Sequence, residues 1–376
     1  MSLRLLHTAD WQLGKLFGNL PGDVGALLRD ARCEAVRHIA ELAARHEVAA
    51  VLVAGDVFDG NLVPDRTIVQ TLAAMRAFQG PWVLLPGNHD AALAESVWGR
   101  LARLGAPANV TAATRPAPLT LADGRLVVLP APLTERHTSE DLTAWMDTAE
   151  TPSAALRVGL AHGSVSGRLP EVADAANPID PERAACARLD YLALGDWHGT
   201  LEIAARSWYS GTPEPDRFRG NEAGNVLLVE LERPGALPSV TRLATARHAW
   251  HQLRLDLTGS AEPAVLLDRL LAEAGPMTRA VVQLTLAGSI DLAARAALEA
   301  ALRRWEGEVC HLAVRDELVD APSERDLLSL GDAPMIGAVA AELAALAAGA
   351  DAERRAVAAM ALRLLHREHR RLGAGA

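Results

Sequence analysis

Gly87-Asn88-His89-Asp90 follows a short apolar run at residues 83–85, which is typical of a buried strand. An apolar run followed by a loop with carboxylate, amide or imidazole side chains occurs at five places in the first 200 residues. The other four loops are His7-Thr8-Ala9-Asp10-Trp11-Gln12, Gly55-Asp56-Val57-Phe58-Asp59, Gly159-Leu160-Ala161-His162-Gly163 and Gly195-Asp196-Trp197-His198-Gly199. Because an α/β sheet gathers its functional loops at the carboxyl ends of its strands, we expect these five loops to meet.

The apolar pattern predicts a layered α/β core. Short runs rich in leucine and β-branched residues predict buried strands at residues 3–6, 50–53, 83–85, 126–129, 158–160, 191–194 and 226–230. Apolar residues recur at helical spacing across 35–43 and 68–78, between the first three of these strands. This alternation of strands and helices is typical of the α/β class.

The pattern changes near residue 249. A strand, helix, strand, helix, strand series follows, with strands expected near residues 253–257, 280–286 and 309–314. The chain then becomes alanine-rich and predicts two helices separated by Gly349, with a flexible tail at 373–376. We therefore predict a main domain at 1–249, a smaller α+β domain at 250–320 and a helical region at 321–376.

Composition narrows the class of protein. The chain has 376 residues and a formal net charge of −10, which argues against an electrostatic grip on nucleic acid over the whole surface. Its three cysteines are widely spaced and form no CxxC pattern, so a disulfide framework is not expected. No secretory leader or membrane-spanning run is visible. We expect a soluble protein of the reducing cytoplasm.

The residue types in the five loops indicate a metal site. Carboxylates, amide oxygens and imidazoles together suit Mn²⁺, Fe or Zn²⁺ better than Ca²⁺, which takes oxygen ligands only. Glycines let the backbone turn sharply, so that neighbouring side chains can face one ion. Other catalytic mechanisms fit the sequence less well, because the chain has no phosphate-binding P-loop motif and no serine nucleophile elbow.

In order and spacing, the five loops resemble the motifs of the calcineurin-like metallophosphoesterase superfamily. Residues 7–15 and 55–59 resemble most the SbcD-type DNA nucleases within that superfamily. The resemblance implies a layered metallophosphoesterase sandwich with a smaller α+β cap domain and a C-terminal helical region. It covers about two-thirds of the chain with motifs, and the second domain only by its position and element order.

The resemblance also implies two divalent metal ions bridged by Asp56. The first position would use Asp10, Gln12, Asp56 and His198, and the second Asp56, Asn88, His162 and Asp196. Two cations roughly 3.5 to 4 Å apart can polarise a phosphodiester and stabilise the charge that builds up on its oxygens. His89 would donate a proton to the leaving sugar oxygen, and Asp90 would orient the His89 imidazole.

This sequence departs from the family pattern at three positions. Gln12 and Asp196 stand where the family usually has histidine, and Asp59 stands where the nuclease relatives often carry a second functional histidine. Oxygen in place of nitrogen favours a harder ion, so we expect Mn²⁺. Asp59 is interpreted equally well as a structural cap or as a support for the site.

Three conspicuous residues have simpler interpretations. His7 lies at a strand end and is predicted to be a hydrogen-bonded structural histidine. Trp11 and Trp197 adjoin predicted ligands and could stack on a nucleobase, but packing beneath the loops is the preferred interpretation.

The resulting hypothesis is a Mn²⁺-dependent DNA exonuclease or endonuclease, the nuclease subunit of an SbcCD-like repair complex. Its expected partners are DNA ends and an SMC-like ATPase, and a homodimer is left open. Two alternatives stay open: an enzyme acting on small phosphate esters, and a catalytically weakened DNA-end-binding scaffold. Apolar stripes on the two C-terminal helices, with the basic residues Arg363, Arg367, Arg370 and Arg371, predict either a helical hairpin or a dock for the ATPase.

Overall fold

The computed structural model describes residues 2–169, 176–218, 220–258, 262–321 and 334–373, together with residues 323, 326 and 330. The chain divides into two compact units, Met1–His248 and Ala249–Ala376. The further division of the second unit at residue 320 stays a prediction.

The first unit contains two six-stranded sheets. In the first sheet the strand order is β14-β13-β1-β2-β3-β4, in which β1 to β4 run parallel, β13 pairs antiparallel with β1, and β14 pairs antiparallel with β13. These strands are β1 (Leu3–Thr8), β2 (Ala50–Val53), β3 (Trp82–Leu84), β4 (Val110–Ala112), β13 (Asn225–Leu231) and β14 (Ser239–Ala244).

The second sheet has the order β11-β12-β10-β7-β6-β5, with a parallel centre and an antiparallel strand at each edge. Its strands are β5 (Leu119–Leu121), β6 (Leu126–Ala131), β7 (Leu156–His162), β10 (Tyr191–Gly195), β11 (Leu201–Ala204) and β12 (Ser207–Tyr209). A short parallel pair, β8 (Ser164–Val165) and β9 (Pro178–Ile179), lies beyond β7.

The two sheets pack face to face around a shared apolar core. Leu5 and Leu52 of the first sheet belong to one buried cluster with Val158 and Tyr191 of the second. Helices cover the outer face of the first sheet and short helical segments that of the second. The helices of this unit are α1 (Val24–Arg45), α2 (Asp65–Ala74), α3 (Val97–Arg103) and α4 (Arg183–Cys186). The predicted layered sandwich is confirmed.

The second unit is built on a three-stranded parallel sheet, which confirms the predicted strand and helix series. Its strands β15 (Ala249–Asp256), β16 (Ala280–Ile290) and β17 (His311–Asp320) are joined by α5 (Pro263–Ala274) and α6 (Leu292–Glu308). The apolar faces of both helices bury leucines against the central strand.

Two C-terminal helices, α7 (Pro334–Ala347) and α8 (Ala352–Gly373), pack against each other. Leu362 of α8 and Ala340 of α7 are buried with Leu292 of α6, so the hairpin interpretation is confirmed for this face. A second face of the same helices is exposed and carries Met335, Val339, Leu346, Val357, Met360 and Leu364. The tail at 374–376 and the side chains of Arg367, Arg370 and Arg371 lie outside the described residues.

Within the described ranges, no helix combines the length and the apolar character that a membrane crossing requires.

Candidate metal centre

All five predicted loops meet at one end of the first unit, where strands from both sheets finish. Asp10 follows β1, Asp56 follows β2 and Asn88 follows β3, so three donors come from the first sheet. His162 ends β7, and Asp196 and His198 follow β10 of the second sheet. The centre therefore lies where the two sheets come together at the carboxyl ends of their parallel strands.

Asp10, Asp56 and His162 form the buried middle of the site. One ligand atom of each lies within 4.8 Å of the others. His162 Nε2 is 3.6 Å from Asp56 Oδ1, and His162 Nδ1 is 4.0 Å from Asp10 Oδ1. Two carboxylates and an imidazole at this separation are a suitable donor set for a divalent metal.

Nε2 of His162 faces oxygen atoms on several sides. Asn88 Oδ1 lies 3.0 Å away and Asp196 Oδ1 lies 3.8 Å away, in addition to Asp56 Oδ1. The opposite ring atom, Nδ1, donates to the carbonyl oxygen of Ala54 at 2.8 Å. In neutral His162 the lone pair of Nε2 would face these oxygens, so the arrangement requires a proton or a metal cation among them. The four donors predicted for the second position therefore fit a metal.

The donors predicted for the first position lie beside Asp56 on its other side. Gln12 Nε2 is 3.3 Å from Asp56 Oδ2 and 3.3 Å from His198 Nε2. The amide oxygen of Gln12 accepts a hydrogen bond from Lys15 Nζ at 3.1 Å. All seven predicted ligands are thus in one cluster, with Gln12 turning its nitrogen toward Asp56.

The backbone adopts left-handed angles at the residues that carry the site. Asp10, Gln12, Asp56 and Asp196 have φ values of 54°, 41°, 52° and 103°. Such angles are costly for residues other than glycine, and they concentrate at functional sites. The backbone of these loops therefore adopts unfavourable conformations that place the side chains of the site.

Two glycines leave the space that the ligands need. A Cβ added to Gly55, which itself has φ of 90°, would lie 2.1 Å from His162 Nδ1. One added to Gly87 would lie 2.3 Å from Asp56 Oδ1. For Gly87 the requirement is therefore close approach rather than a left-handed turn.

Several carboxylate groups lie close together in the site. Burial raises the pKa of Asp10 above its ordinary value, His162 opposes this rise, and the neighbouring Asp56 and Asp196 carboxylates add to it. For His162, burial lowers the pKa, but the carboxylates of Asp56, Asp10 and Asp196 outweigh burial and raise the pKa to about 9. The cluster therefore favours a positive charge in its midst, which a divalent cation would provide.

His89 lies at the rim of the site, with a side-chain exposure of 35%. Its Nδ1 donates to the carbonyl oxygen of Asp59 at 3.1 Å, and its Nε2 lies 3.9 Å from Asp56 Oδ2. The expectation that Asp90 orients this imidazole is wrong. The buried carboxylate of Asp90 instead accepts hydrogen bonds from the backbone amides of Phe58 and Gly87, and it ties two of the loops together.

Asp216 and Arg32 are functional neighbours that the sequence interpretation missed. Asp216 Oδ1 lies 3.2 Å from His198 Nδ1, so it orients that ring. Arg32 is buried and donates to the carbonyl oxygens of Trp11 and Asp10 at 2.7 and 3.0 Å, and to that of Glu214 at 3.1 Å. Neither residue belongs to a recognisable motif, so nothing in the sequence distinguishes it from an ordinary polar residue.

The simpler interpretations hold for all three conspicuous residues. His7 is buried between the Tyr191 hydroxyl at 2.9 Å and the Leu194 carbonyl oxygen at 3.1 Å, as a structural histidine would be. Trp11 is buried and donates to Thr8 beneath the loops. Trp197 is partly buried against the core of the second sheet.

Comparison with known proteins agrees with this geometry. Residues 3–175 match the model of the calcineurin-like phosphoesterase family. Over 92 residues the chain is 37% identical to the SbcD subunit of the nuclease SbcCD from Escherichia coli K12, and equally so to that from Escherichia coli O157:H7. This match covers 23% of the chain and only 21% of each of these relatives.

Among solved structures, a dimetal phosphatase from Danio rerio aligns with 64% of this chain and 98% of its own, at 12% identity and a TM-score of 0.40. The family match covers the loops of Asp10, Asp56, Asn88 and His162. Residues 3–175 of this chain thus match the calcineurin-like phosphoesterase family, and this stretch contains the buried cluster of Asp10, Asp56 and His162.

Proposed function

We propose that this chain hydrolyses phosphodiester bonds in DNA ends with two divalent metal ions, as the nuclease subunit of an SbcCD-like complex. The observation that carries the proposal is the position of Asp56. Its Oδ1 faces His162 at 3.6 Å and its Oδ2 faces Gln12 at 3.3 Å, so one carboxylate stands between two donor sets. The similarity to the SbcD subunit of the nuclease SbcCD supports DNA as the substrate.

The ligands proposed for the two positions share Asp56. Asp10, Gln12 and His198 complete the first position, and Asn88, His162 and Asp196 complete the second. When bound, two such ions polarise the phosphodiester and stabilise the charge that develops on its oxygens. The two oxygens of Asp56 are what keep the positions close together.

His89 is the proposed proton donor to the leaving sugar oxygen. Its Nδ1 is held by the Asp59 carbonyl oxygen, an acceptor only, so Nδ1 keeps its own proton. A second proton on Nε2 can then be transferred to a substrate at the exposed rim. The Asp90 carboxylate ties two of the loops together, and Asp59 holds the His89 ring through its backbone carbonyl oxygen.

Mn²⁺ is the metal we propose for this site. Of the seven donor residues, His162 and His198 offer nitrogen, Asp10, Asp56, Asn88 and Asp196 offer oxygen, and Lys15 binds the amide oxygen of Gln12. Oxygen-rich donor sets favour hard ions over Zn²⁺.

The proposed partner is an SMC-like ATPase in the cytoplasm. An acidic chain gains little affinity for DNA from its own net charge, so a partner that binds DNA would supply much of it. The exposed apolar face of α7 and α8 is the surface we assign to that contact, because Met335 and Val357 are 84% and 65% exposed.

A panel of substrates tests the proposed function. Purified protein is incubated with Mn²⁺ and end-labelled single-stranded, duplex and hairpin DNA, beside bis-para-nitrophenyl phosphate. Cleavage of the DNA substrates at a rate well above background supports the nuclease. Cleavage of the small ester alone would indicate a general phosphodiesterase, and metal binding without any cleavage would indicate a scaffold.

A further inference from the structure

The amide of Gln12 is fixed in one orientation by three contacts. Its Nε2 lies 3.3 Å from both Asp56 Oδ2 and His198 Nε2, and its Oε1 accepts from Lys15 Nζ at 3.1 Å. If the amide were turned over, Oε1 would face the carboxylate and Nε2 would face the ammonium group. Both of those contacts are repulsive, so the three neighbours agree on the orientation observed.

The hydrogen bonds of His198 support the same orientation. Its Nδ1 faces the carboxylate of Asp216 at 3.2 Å and therefore carries a proton, which leaves the lone pair of the neutral ring on Nε2. That lone pair accepts from the Gln12 amide nitrogen. The nitrogen side of the amide is therefore satisfied as it stands.

Lys15 is held in place by a second anchor. Its Nζ lies 2.5 Å from Asp216 Oδ2, and its side chain is only 24% exposed. Asp216 thus binds both the His198 ring and the ammonium group that binds Gln12. Lys15 is in this way part of the first metal position without being a ligand.

An amide nitrogen has no lone pair to offer a metal, and the amide oxygen of Gln12 is engaged by Lys15. We propose that Lys15 makes the first metal position much weaker than the second by holding the Gln12 oxygen away from it. A cation at the first position must either displace Lys15 from Oε1 or bind with the remaining donors alone. At the second position the corresponding amide oxygen, Asn88 Oδ1, faces His162 Nε2 at 3.0 Å and so lies among the ligands. This inference rests on the proposed assignment of ligands to two positions.

Titration with Mn²⁺ by calorimetry, with bound metal counted independently, tests the inference. The parent chain should show one tight and one weak binding step. Lys15→Met frees Oε1 of Gln12 and should tighten the weak step on the order of ten-fold, because hydrogen bonds to charged groups are among the stronger ones. The tight step should not change.

Two matched variants distinguish release of the Gln12 amide oxygen from the mere loss of a positive charge near the site. Arg217 is also a cation bound to Asp216, through Nε at 2.9 Å, and it reaches His198 Nε2 only at 3.5 Å. Among the described contacts it makes no hydrogen bond to Gln12, so Arg217→Met should tighten the weak step less than Lys15→Met does. In a Gln12→Leu background, Lys15→Met should lose most of its effect, because no amide oxygen remains to be released.

Several results would overturn the inference. One is a weak binding step that is unchanged or weakened further in Lys15→Met. Another is a parent chain with two equally tight steps. The third is a Lys15→Met effect that stays the same in the Gln12→Leu background. The ligand assignment is tested separately with Asp56→Ala. If that variant kept both steps, the assignment would fail while the Lys15 result could still be interpreted. A parent chain that bound no metal would overturn both.

Discussion

One ring nitrogen of His89 is fixed by a hydrogen bond, and the other faces the exposed rim of the site. The Asp59 carbonyl oxygen binds Nδ1, and Nε2 is directed to the exposed rim beside Asp56. His89→Gln should reduce kcat about 10²- to 10⁴-fold with unchanged metal stoichiometry, because a positioned general acid contributes on that scale. Steady-state kinetics beside metal analysis provides the measurement.

Asp59→Ala is the matched control for His89. It keeps the backbone carbonyl that holds the imidazole and removes a carboxylate 3.9 Å from Nδ1. We expect a much smaller loss of kcat than in His89→Gln. Loss of metal from His89→Gln would mean that this histidine is a ligand rather than a proton donor.

The buried His7 makes stability depend on pH. Burial lowers the pKa of His7 from 6.5 to about 3. Below pH 6.5, His7 therefore binds a proton in the unfolded chain but stays neutral in the folded chain. The stability that this residue contributes is complete above pH 6.5 and is lost as the pH falls toward 3. Between pH 6.5 and 5 the loss should be about 2 kcal/mol.

Urea unfolding at pH 7 and pH 5 measures this effect. His7→Gln should lose less stability than the parent chain over that interval, because glutamine does not titrate. His38→Gln, in which the replaced side chain is 40% exposed, should follow the parent. An identical pH dependence in His7→Gln and the parent would show that His7 is not the group responsible.

At the level of single residues, the sequence could show which side chains carry chemistry but not what holds them. Asp56 follows the unbroken apolar run of β2 and His162 ends the largely buried β7, so the pattern located them directly. Asp216 follows β12, a strand of three residues, and it lies within a proline-rich loop without a motif. Its role depends on a contact with His198 that only the folded chain creates. The contact between Lys15 and Gln12 was missed for the same reason.

At the level of elements, buried strands could be predicted and edge strands could not. β2 and β10 are buried along their whole length, so they appear as unbroken apolar runs. β14 lies at a sheet edge with four of its six residues exposed, and its sequence mixes serine, threonine and arginine with apolar residues. Short or edge strands such as β4 and β14 gain their structure from pairing with a neighbour, which periodicity does not reveal.

The helices α7 and α8 combine a buried face and an exposed face. Leu362 is buried against Leu292, whereas Val357 and Met360 are 65% and 56% exposed. The double variant Val357→Ser, Met360→Ser should keep the parental stability within about 0.5 kcal/mol per site, because it leaves the core intact. It should also lose co-purification with an SbcC-type ATPase, which pull-down from co-expressing cells measures.

The control for this surface is Leu362→Ser, which opens the buried face and should cost about 2 to 5 kcal/mol of stability. A double variant that still co-purified would place the dock elsewhere. One that was as unstable as Leu362→Ser would show that the exposed face belongs to the fold. Truncation after Asp320 is a less specific test, because it also uncovers Leu292.

For the molecule as a whole, residues from both sheets of the first unit build the candidate metal centre. Asp10, Asp56 and Asn88 come from the first sheet, and His162, Asp196 and His198 come from the second. A site assembled in this way exists only when the two sheets pack correctly, so binding of metal should also stabilise the sandwich. The sequence could predict that the loops converge, because sheet topology requires it, but not which oxygen of Asp56 faces which donor set.

Asp56→Ala tests the central claim, that one carboxylate joins two metal positions. Metal content and Mn²⁺ affinity are measured for the parent chain and the variant, with Asp59→Ala as a control that removes a carboxylate beside the site. We predict that the parent and Asp59→Ala bind two equivalents, and that Asp56→Ala loses affinity at both positions and does not cleave DNA. Two equivalents of Mn²⁺ bound to Asp56→Ala with parental affinity, together with parental cleavage, would contradict the account.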